Sequence, residues 1–402
     1  MVVWRLEWAR SQKIIIKAMG QDKNRFNPAI LPILFGFFVM GFVDVVGIAT
    51  NYVKGDFGLS DTMANLIPMM VFLWFALFSI PSGILMRRVG RRRTVALALL
   101  VTAVAMALPL LRYDFVSILL AFALLGIGNT VLQVSLNPMV AAVVSPERTT
   151  SVLTLGQFLK AVASFLGPLI AVGAASRLGD WRWIFAIYAV VTLLSFVWLL
   201  VATHETPVDG AEQRASLASI RSLLADPYIR MLFGGILFIV GIDVGLNTTI
   251  PKLLMEKLGL SLDEAGLGTS LYFSARTIGT FLGAFLLARL SGRRFLFVGM
   301  WVAIAGLVLL LLSGQLWVML AMIVVVGLAC ANVFSIIFAY ALRHRPELDN
   351  EISALMIMGV SGGALVMPLM GLVADAFGQV AGLSLLLIGM AYLLWCAKRL
   401  RN

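Results

Sequence analysis

The chain is poor in charge. Only 13% of its 402 residues are Asp, Glu, Lys or Arg, about half the share found in a water-soluble domain, so a soluble enzyme is excluded as the overall design. Thiol and imidazole chemistry have little to work with. The two cysteines, Cys330 and Cys396, lie in separate apolar runs, and His204 and His344 sit far apart in polar loops, leaving no disulfide framework, redox pair or metal spacing. No GxxxxGK[ST] stretch, serine elbow, HExxH or soluble pair of catalytic carboxylates is found, so neither ATP-driven work nor enzymology is indicated and no cofactor is expected. The start lacks the charged-apolar-small pattern of a removable signal peptide.

What is present is apolar. Hydrophobic residues make up 61% of the chain, with a mean hydropathy of +0.98, and they come in blocks of roughly 20, the length that crosses about 30 Å of hydrocarbon. Period-two alternation is missing, so the blocks read as helices rather than barrel strands. The expected spans are 28–53, 62–86, 94–111, 115–141, 149–176, 181–202, 227–250, 265–288, 293–312, 316–340, 351–374 and 379–397. This predicts an all-α membrane protein of twelve transmembrane helices in two pseudo-symmetric six-helix bundles, 28–202 and 227–397. A basic N-terminal segment 1–27, a polar linker 203–226 and a short tail 398–402 complete the expected organisation.

Basic residues cluster on alternate loops. Arg87, Arg88, Arg91, Arg92 and Arg93 share one side with the N-terminal segment, Arg293, Arg294, Arg343, Arg345 and the tail, which predicts that both termini are cytoplasmic. The net charge of +11 is then a matter of lipid headgroups, not of nucleic acid. The halves also echo each other at an offset of about 200 residues. GFVD at 41–44 answers VGID at 240–243, G-ILMRRV-GRRR at 83–93 answers G-AFLLARLS-GRR at 283–294, and Gly167–Pro168 answers Met367–Pro368. Two like bundles can rock about a site held at mid-membrane.

The polar residues inside the spans are the candidates for that site. Asp44 lies near the middle of the first span, where an ionised carboxylate costs roughly 2.5–3.5 kcal/mol or more and must face a partner or water. A structural cap would account for it, and so would proton coupling. Asn51 extends the same face, while Asn129, Gln133 and Asn137 form an amide stripe at spacings of four on the fourth span. Amides suit a solute with several hydroxyls, although a stripe bridging neighbouring helices has the same pattern. The fifth span carries Gln157 and Lys160, whose natural partner is Asp44. In the second half stand Asp243 and Asn247, Arg276 with Asp243 as its most economical partner, and Asn332 with Ser335. An ion pair there could lock or could function. Ser361, Gly362 and Gly363 could line a cavity or allow close packing, and Trp74 and Phe334 could stack on a sugar or fill the core.

GILMRRVGRRR at 83–93 resembles the signature loop of the major facilitator superfamily, with Arg87 where that family commonly has a gate-locking aspartate. The resemblance implies a gating role for Arg87, Arg88 and Arg91. IPSGILMRR at 80–88, NPMV at 137–140, TLGQFLKAVA at 154–163, ARTIGTFLGAFLLAR at 275–289 and GVSGGALVMPLMGLVADAFG at 359–378 resemble the fucose–proton symporter branch of bacterial sugar permeases. That branch has an asparagine at the position of Asp44 and its proton-handling aspartate at the position of Gly47, so here the carboxylate is displaced by a turn. Its fourth-helix glutamate falls on Gln133, which cannot titrate. Its fifth-helix glutamine is kept as Gln157, whereas the asparagine three residues on becomes Lys160; Asp243 resembles an acidic position of glucose-type members.

The expectation is a secondary active transporter in a bacterial inner membrane, a monomer importing a sugar-like solute with a proton. Asp44 would couple the proton, and Asn129, Gln133, Gln157, Lys160, Asp243, Asn247 and Asn332 would line the solute site. An efflux antiporter for amphipathic compounds, suited to 19 methionines and 25 phenylalanines, and a facilitated-diffusion permease are the rivals.

Overall fold

The computed structural model describes residues 29–144, 146–204, 222–287, 290–345 and 348–400. The segment 1–27, most of the linker 203–226 and residues 401–402 lie outside the described residues, as do the expectations that rest on them.

Every described element is helical. The first six long helices are α1 (Ile30–Phe57), α2 (Asp61–Val89), α3 (Arg91–Leu111), α4 (Phe115–Val143), α5 (Pro146–Leu178) and α6 (Trp183–Ala202). The second group is α7 (Pro227–Leu258), α8 (Leu262–Leu287), α9 (Gly292–Leu312), α10 (Leu316–His344), α11 (Glu351–Phe377) and α12 (Gln379–Arg399). Among the described residues, eleven helices are long and apolar enough to cross a membrane. α8 is the exception, and it is the helix that carries Arg276. Its hydroxyls return to carbonyls one turn back, Ser274 to Ser270, Thr277 to Phe273 and Thr280 to Arg276, which satisfies them without water.

Helix starts follow capping chemistry. Ser60, Asp114, Asp226 and Ser291 each accept a hydrogen bond from a backbone N–H of the turn that follows. The seventh helix differs from its sequence reading: it does not stop at 250 but runs through Pro251 to Leu258. Proline removes one donor, a loss that a membrane helix tolerates where neighbours satisfy the freed carbonyl. α10 is not continuous either, with a turn at Ala331–Asn332 between its two segments.

α1 tightens into a 3-10 turn at Gly41–Val45, in the middle of its length. The cause is close packing. A Cβ on Gly41 would lie 2.4 Å from the Lys160 carbonyl oxygen and 2.7 Å from Ala163, so α5 presses directly on the backbone there. Asn129 of α4 then donates to the Met40 carbonyl at 2.6 Å. On the other side Phe42 stacks on Tyr188 of α6 at 3.8 Å.

α1 packs on α7, α5 on α8, and α2 on α11; these pairings join the first six helices to the second six. One end of the molecule carries the α2–α3 turn with Arg87 to Arg93, here called the arginine face. The other, distal end carries the α1–α2, α7–α8 and α11–α12 turns.

At the arginine face Asp226 ties α7 to α10. It accepts from the backbone of Tyr228 and pairs with His344 Nε2 at 2.9 Å. Burial pushes this carboxyl up, but His344 and the N–H groups of Tyr228 and Ile229 outweigh it and hold the group below the ordinary carboxylate range. A depressed carboxyl stabilises the fold fully above its unfolded value near about 4 and loses that contribution as pH falls through the folded value. The gap in melting temperature between the wild type and Asp226→Asn should therefore narrow as pH falls from about 5 and close below about pH 4. A melting series across pH checks it, and a gap unchanged at pH 3 would contradict it.

Candidate functional site

The 3-10 turn of α1 sets Asp44 on the boundary between the two groups of helices. Its Oδ2 accepts from Ser164 of α5 at 2.5 Å, and its backbone carbonyl accepts from Asn247 of α7 at 3.0 Å. Asn51 makes the reciprocal contact, donating to the Thr248 carbonyl at 3.0 Å. Two amides thus clasp α1 to α7, each reaching for the other helix's backbone. The fit requires Gly47, because a Cβ there would lie 2.1 Å from Asn247 Oδ1 and 2.4 Å from its Cγ. The position at which the resembling branch carries its aspartate is therefore filled by an amide from the opposite helix.

Across the boundary Asp243 receives the Tyr272 hydroxyl at 2.6 Å and pairs with Arg276 at 3.0 Å. Lys160, one turn before Ser164 on α5, lies within electrostatic reach of Asp44, Asp243 and Arg276. The sequence leaves open whether Lys160 pairs with Asp44, and no ion pair joins them among the described residues; the Asp44 oxygen accepts from the Ser164 hydroxyl, one helical turn along α5. Four charged side chains from α1, α5, α7 and α8 thus act on one another electrostatically, and two of them, Asp243 and Arg276, are in contact.

The amides divide into two kinds. Asn129, Asn247 and Asn332 are each held by a carbonyl, those of Met40, Asp44 and Gly279, and hold helices together. Gln133, Gln157 and Lys160 make no side-chain hydrogen bond among the described residues; Gln133 and Lys160 are half-buried and Gln157 is exposed. A site for a polar solute needs groups of this second kind, since a side chain already paired must break a bond to bind. Trp74 adds a buried indole N–H that has no acceptor among the described residues. Arg88 of the signature loop is exposed, and Arg87 and Arg91 are half-buried. Arg92 donates to the Leu200 carbonyl at 2.5 Å and the Thr203 hydroxyl at 3.2 Å, and so ties α3 to the end of α6.

The distal face is shut by a second network. Asp61, 5% exposed, takes Lys252 of α7 at 2.7 Å, Lys54 of α1 at 2.7 Å and the Gln379 amide of α12 at 2.6 Å. Asn65 adds a contact to Lys252 at 3.2 Å and donates to the Met367 carbonyl at 3.0 Å. Asp375, at the end of α11, receives the backbone N–H groups of Asp61 and Thr62 at 2.6 and 2.8 Å, where the α2 helix dipole favours an anion. Beside this network a cavity of about 530 Å³ opens among Tyr52, Asp56, Tyr113, Trp181, Arg182 and Asp263. It lies at the helix ends, not at mid-membrane.

The Major Facilitator Superfamily model matches residues 33–253 and again 234–401. The chain belongs to the major facilitator superfamily. A glucose/galactose transporter of Brucella abortus is 27% identical over 394 residues, covering 92% of this chain and 94% of the relative. Among solved structures, a bacterial homologue of the human lysosomal transporter Spinster, inward-facing and unoccupied, superposes with a TM-score of 0.76 at 19% identity, covering 94% of this chain and 98% of that one. FucP, the fucose:proton symporter of Escherichia coli, gives 0.66 at 18% identity in its outward conformation, covering 93% and 100%. This superfamily member is a multi-pass, secondary-active transporter of small molecules.

Within the transporter, several residues of consequence escaped sequence reasoning. Ser164 is one serine among many, and only its place one turn from Lys160 points to it. Lys252 and Asp61 look like solvated ends of their spans. For Lys252 the signal available was its place next to Pro251, which reads as a loop until α7 is seen to continue.

Proposed function

We propose that this transporter imports a sugar or a similar polyhydroxylated solute together with a proton, by alternating access. The observation that supports it is the set of unbonded Gln133, Gln157 and Lys160 beside a boundary where Asp44, Asp243 and Arg276 act on one another. Gln133 and Gln157 supply donors and acceptors to solute hydroxyls, and Trp74 offers an indole face and its free N–H. Asp44 carries the proton. Its Ser164 partner can donate when the carboxylate is ionised and accept when it is protonated, so both states are accommodated. Lys160 senses which state holds, through charge rather than contact. Asn129 and Asn247 fix the α1 turn that aims Asp44, and Asn332 closes α10 onto α8.

The architecture in this reading is two six-helix bundles, α1–α6 and α7–α12, with α8 as the crossing that its polar residues disguise. The arginine face is cytoplasmic by its charge, with both termini on that side. The distal network around Asp61 then closes the periplasmic side, and the molecule stands with its outer gate shut. The name of the Brucella relative and the symport of FucP favour a sugar over an amphipathic drug. A single chain suffices for the rocking motion, so the transporter acts as a monomer.

Asp44→Asn is the test. In proteoliposomes, uptake of labelled glucose or galactose driven by an inward proton gradient should fall at least about tenfold, while solute counterflow, which needs no net proton movement, persists. Gradient-driven uptake that survives in Asp44→Asn would remove the coupling role. Saturable export of lipophilic cations with no hexose counterflow would replace the sugar reading with the antiporter.

A further inference from the structure

At the arginine face, the first turn of α7 and the last two turns of α12 leave a groove of about 470 Å³ lined by Tyr228, Arg230, Met231, Tyr392, Trp395 and Arg399. We propose that this groove binds the phosphate headgroup of an anionic phospholipid.

The charge in the groove is uncompensated. Arg230 donates to the Leu224 carbonyl at 3.2 Å, and Arg399 lies over the Trp395 ring at 4.6 Å. Neither guanidinium pairs with a carboxylate among the described residues, and no acidic residue lines the groove. Stacking on an indole occupies the flat face of a guanidinium and leaves its N–H edge free, and that edge matches a phosphate.

The groove is also built at the depth where a headgroup lies. Along one face of α12 the residues Ile388, Tyr392, Trp395 and Arg399 follow at spacings of four, three and four. Ile388 is 63% exposed and Trp395 40%, so the stripe is turned outward. It passes from an aliphatic side chain through two amphipathic aromatics to a cation, the order in which an acyl chain, the interfacial region and a phosphate succeed one another. The floor is fixed. Tyr392 donates to the Met231 carbonyl at 3.1 Å and rests on Phe238 with ring centroids 4.8 Å apart. Gly234 admits it, since a Cβ there would lie 2.4 Å from the tyrosine oxygen. A soluble anion would use the two arginines but would gain nothing from the exposed stripe, which favours the lipid.

Native mass spectrometry of the full-length protein in detergent, titrated with dioleoyl phosphatidylglycerol or dioleoyl phosphatidylcholine, tests the proposal. Wild type is expected to bind phosphatidylglycerol at least about tenfold more tightly, and Arg230→Gln/Arg399→Gln to lose that preference. Arg230→Lys/Arg399→Lys, which keeps the charge, should retain part of it. Arg294→Gln, on the same face outside the groove, should bind as wild type. Melting temperature confirms that each variant is folded. The proposal is overturned if the double Gln variant keeps the preference, or if Arg294→Gln loses it equally, which would mean a diffuse charge effect. Displacement of phosphatidylglycerol by millimolar glycerol 1-phosphate would overturn it too, by assigning the groove to a soluble phosphate.

Discussion

Replacing Asp61 with asparagine is expected to unlatch the distal face. Asp61 and Lys252 are 5% and 6% exposed and pair at 2.7 Å, and Lys54 adds a second cation on the other carboxylate oxygen. Breaking a buried pair by removing one partner costs about 3–5 kcal/mol, because the remaining charge is left without compensation. At about 1.4 kcal/mol per factor of ten, the closed state should lose roughly two to three and a half orders of magnitude against the open one. Asparagine can still meet Gln379, but it cannot hold two ammonium groups that repel each other. Lys54→Ala offers the contrast. Its side chain is 30% exposed, so it should cost no more than about 1 kcal/mol. Spin labels on the turn before α2 and at the end of α11 would report the opening, and the two native cysteines, both buried, would not compete for label. A distance distribution in Asp61→Asn identical to wild type, with uptake within twofold, would show that the latch holds nothing.

Gly47→Ala should be nearly as damaging, for a steric reason. The new methyl group would coincide with the Asn247 side chain, 2.1 Å from its oxygen. Asn247 must swing away, and its bond to the Asp44 carbonyl goes with it. Overpacking of this kind costs about 1–3 kcal/mol, and the α1 turn that aims Asp44 loses one of its two side-chain supports as well. Uptake is expected to drop at least about tenfold. Adding Asn247→Ala removes the obstacle, so the double variant should be more stable than Gly47→Ala alone, a coupling of at least about 1 kcal/mol. Additive effects in that cycle would mean that the two residues do not meet as the structure has them.

The membrane spans were legible because burying about 20 apolar residues needs no partner other than lipid, and the signal is therefore local. The same locality explains the errors. Pro251 and Lys252 look like the end of a helix when read alone, and only the carboxylate of Asp61, nearly two hundred residues earlier, gives the lysine a reason to be buried. α8 carries Arg276 and a row of hydroxyls, yet its polarity is absorbed by Asp243 and by its own carbonyls. In the central site the charged residues announced themselves by their cost, and Arg276 does meet Asp243. The amides were harder, since a sequence shows that an amide is present but not which carbonyl has already taken it. Asn129 and Gln133 stand one turn apart and look alike; one is bonded to Met40 and the other is unoccupied. Ser164 and Gly47 carry no cost of their own, so composition could not mark them, and Ser164 had only its spacing from Lys160 to point to it.

The meeting of Gly47 and Asn247 imposes an order on how such a transporter can change. A descendant that moved its carboxylate from residue 44 to residue 47 would be penalised if it began at 47, where a side chain must push the Asn247 amide aside. The less costly order shortens residue 247 first, accepts a small void and a slackened contact between α1 and α7, and then fills the space. The reverse route passes through the same intermediate. Positions on opposite halves, two hundred residues apart, are therefore free to drift only in sequence, and the path between the two arrangements is a narrow one.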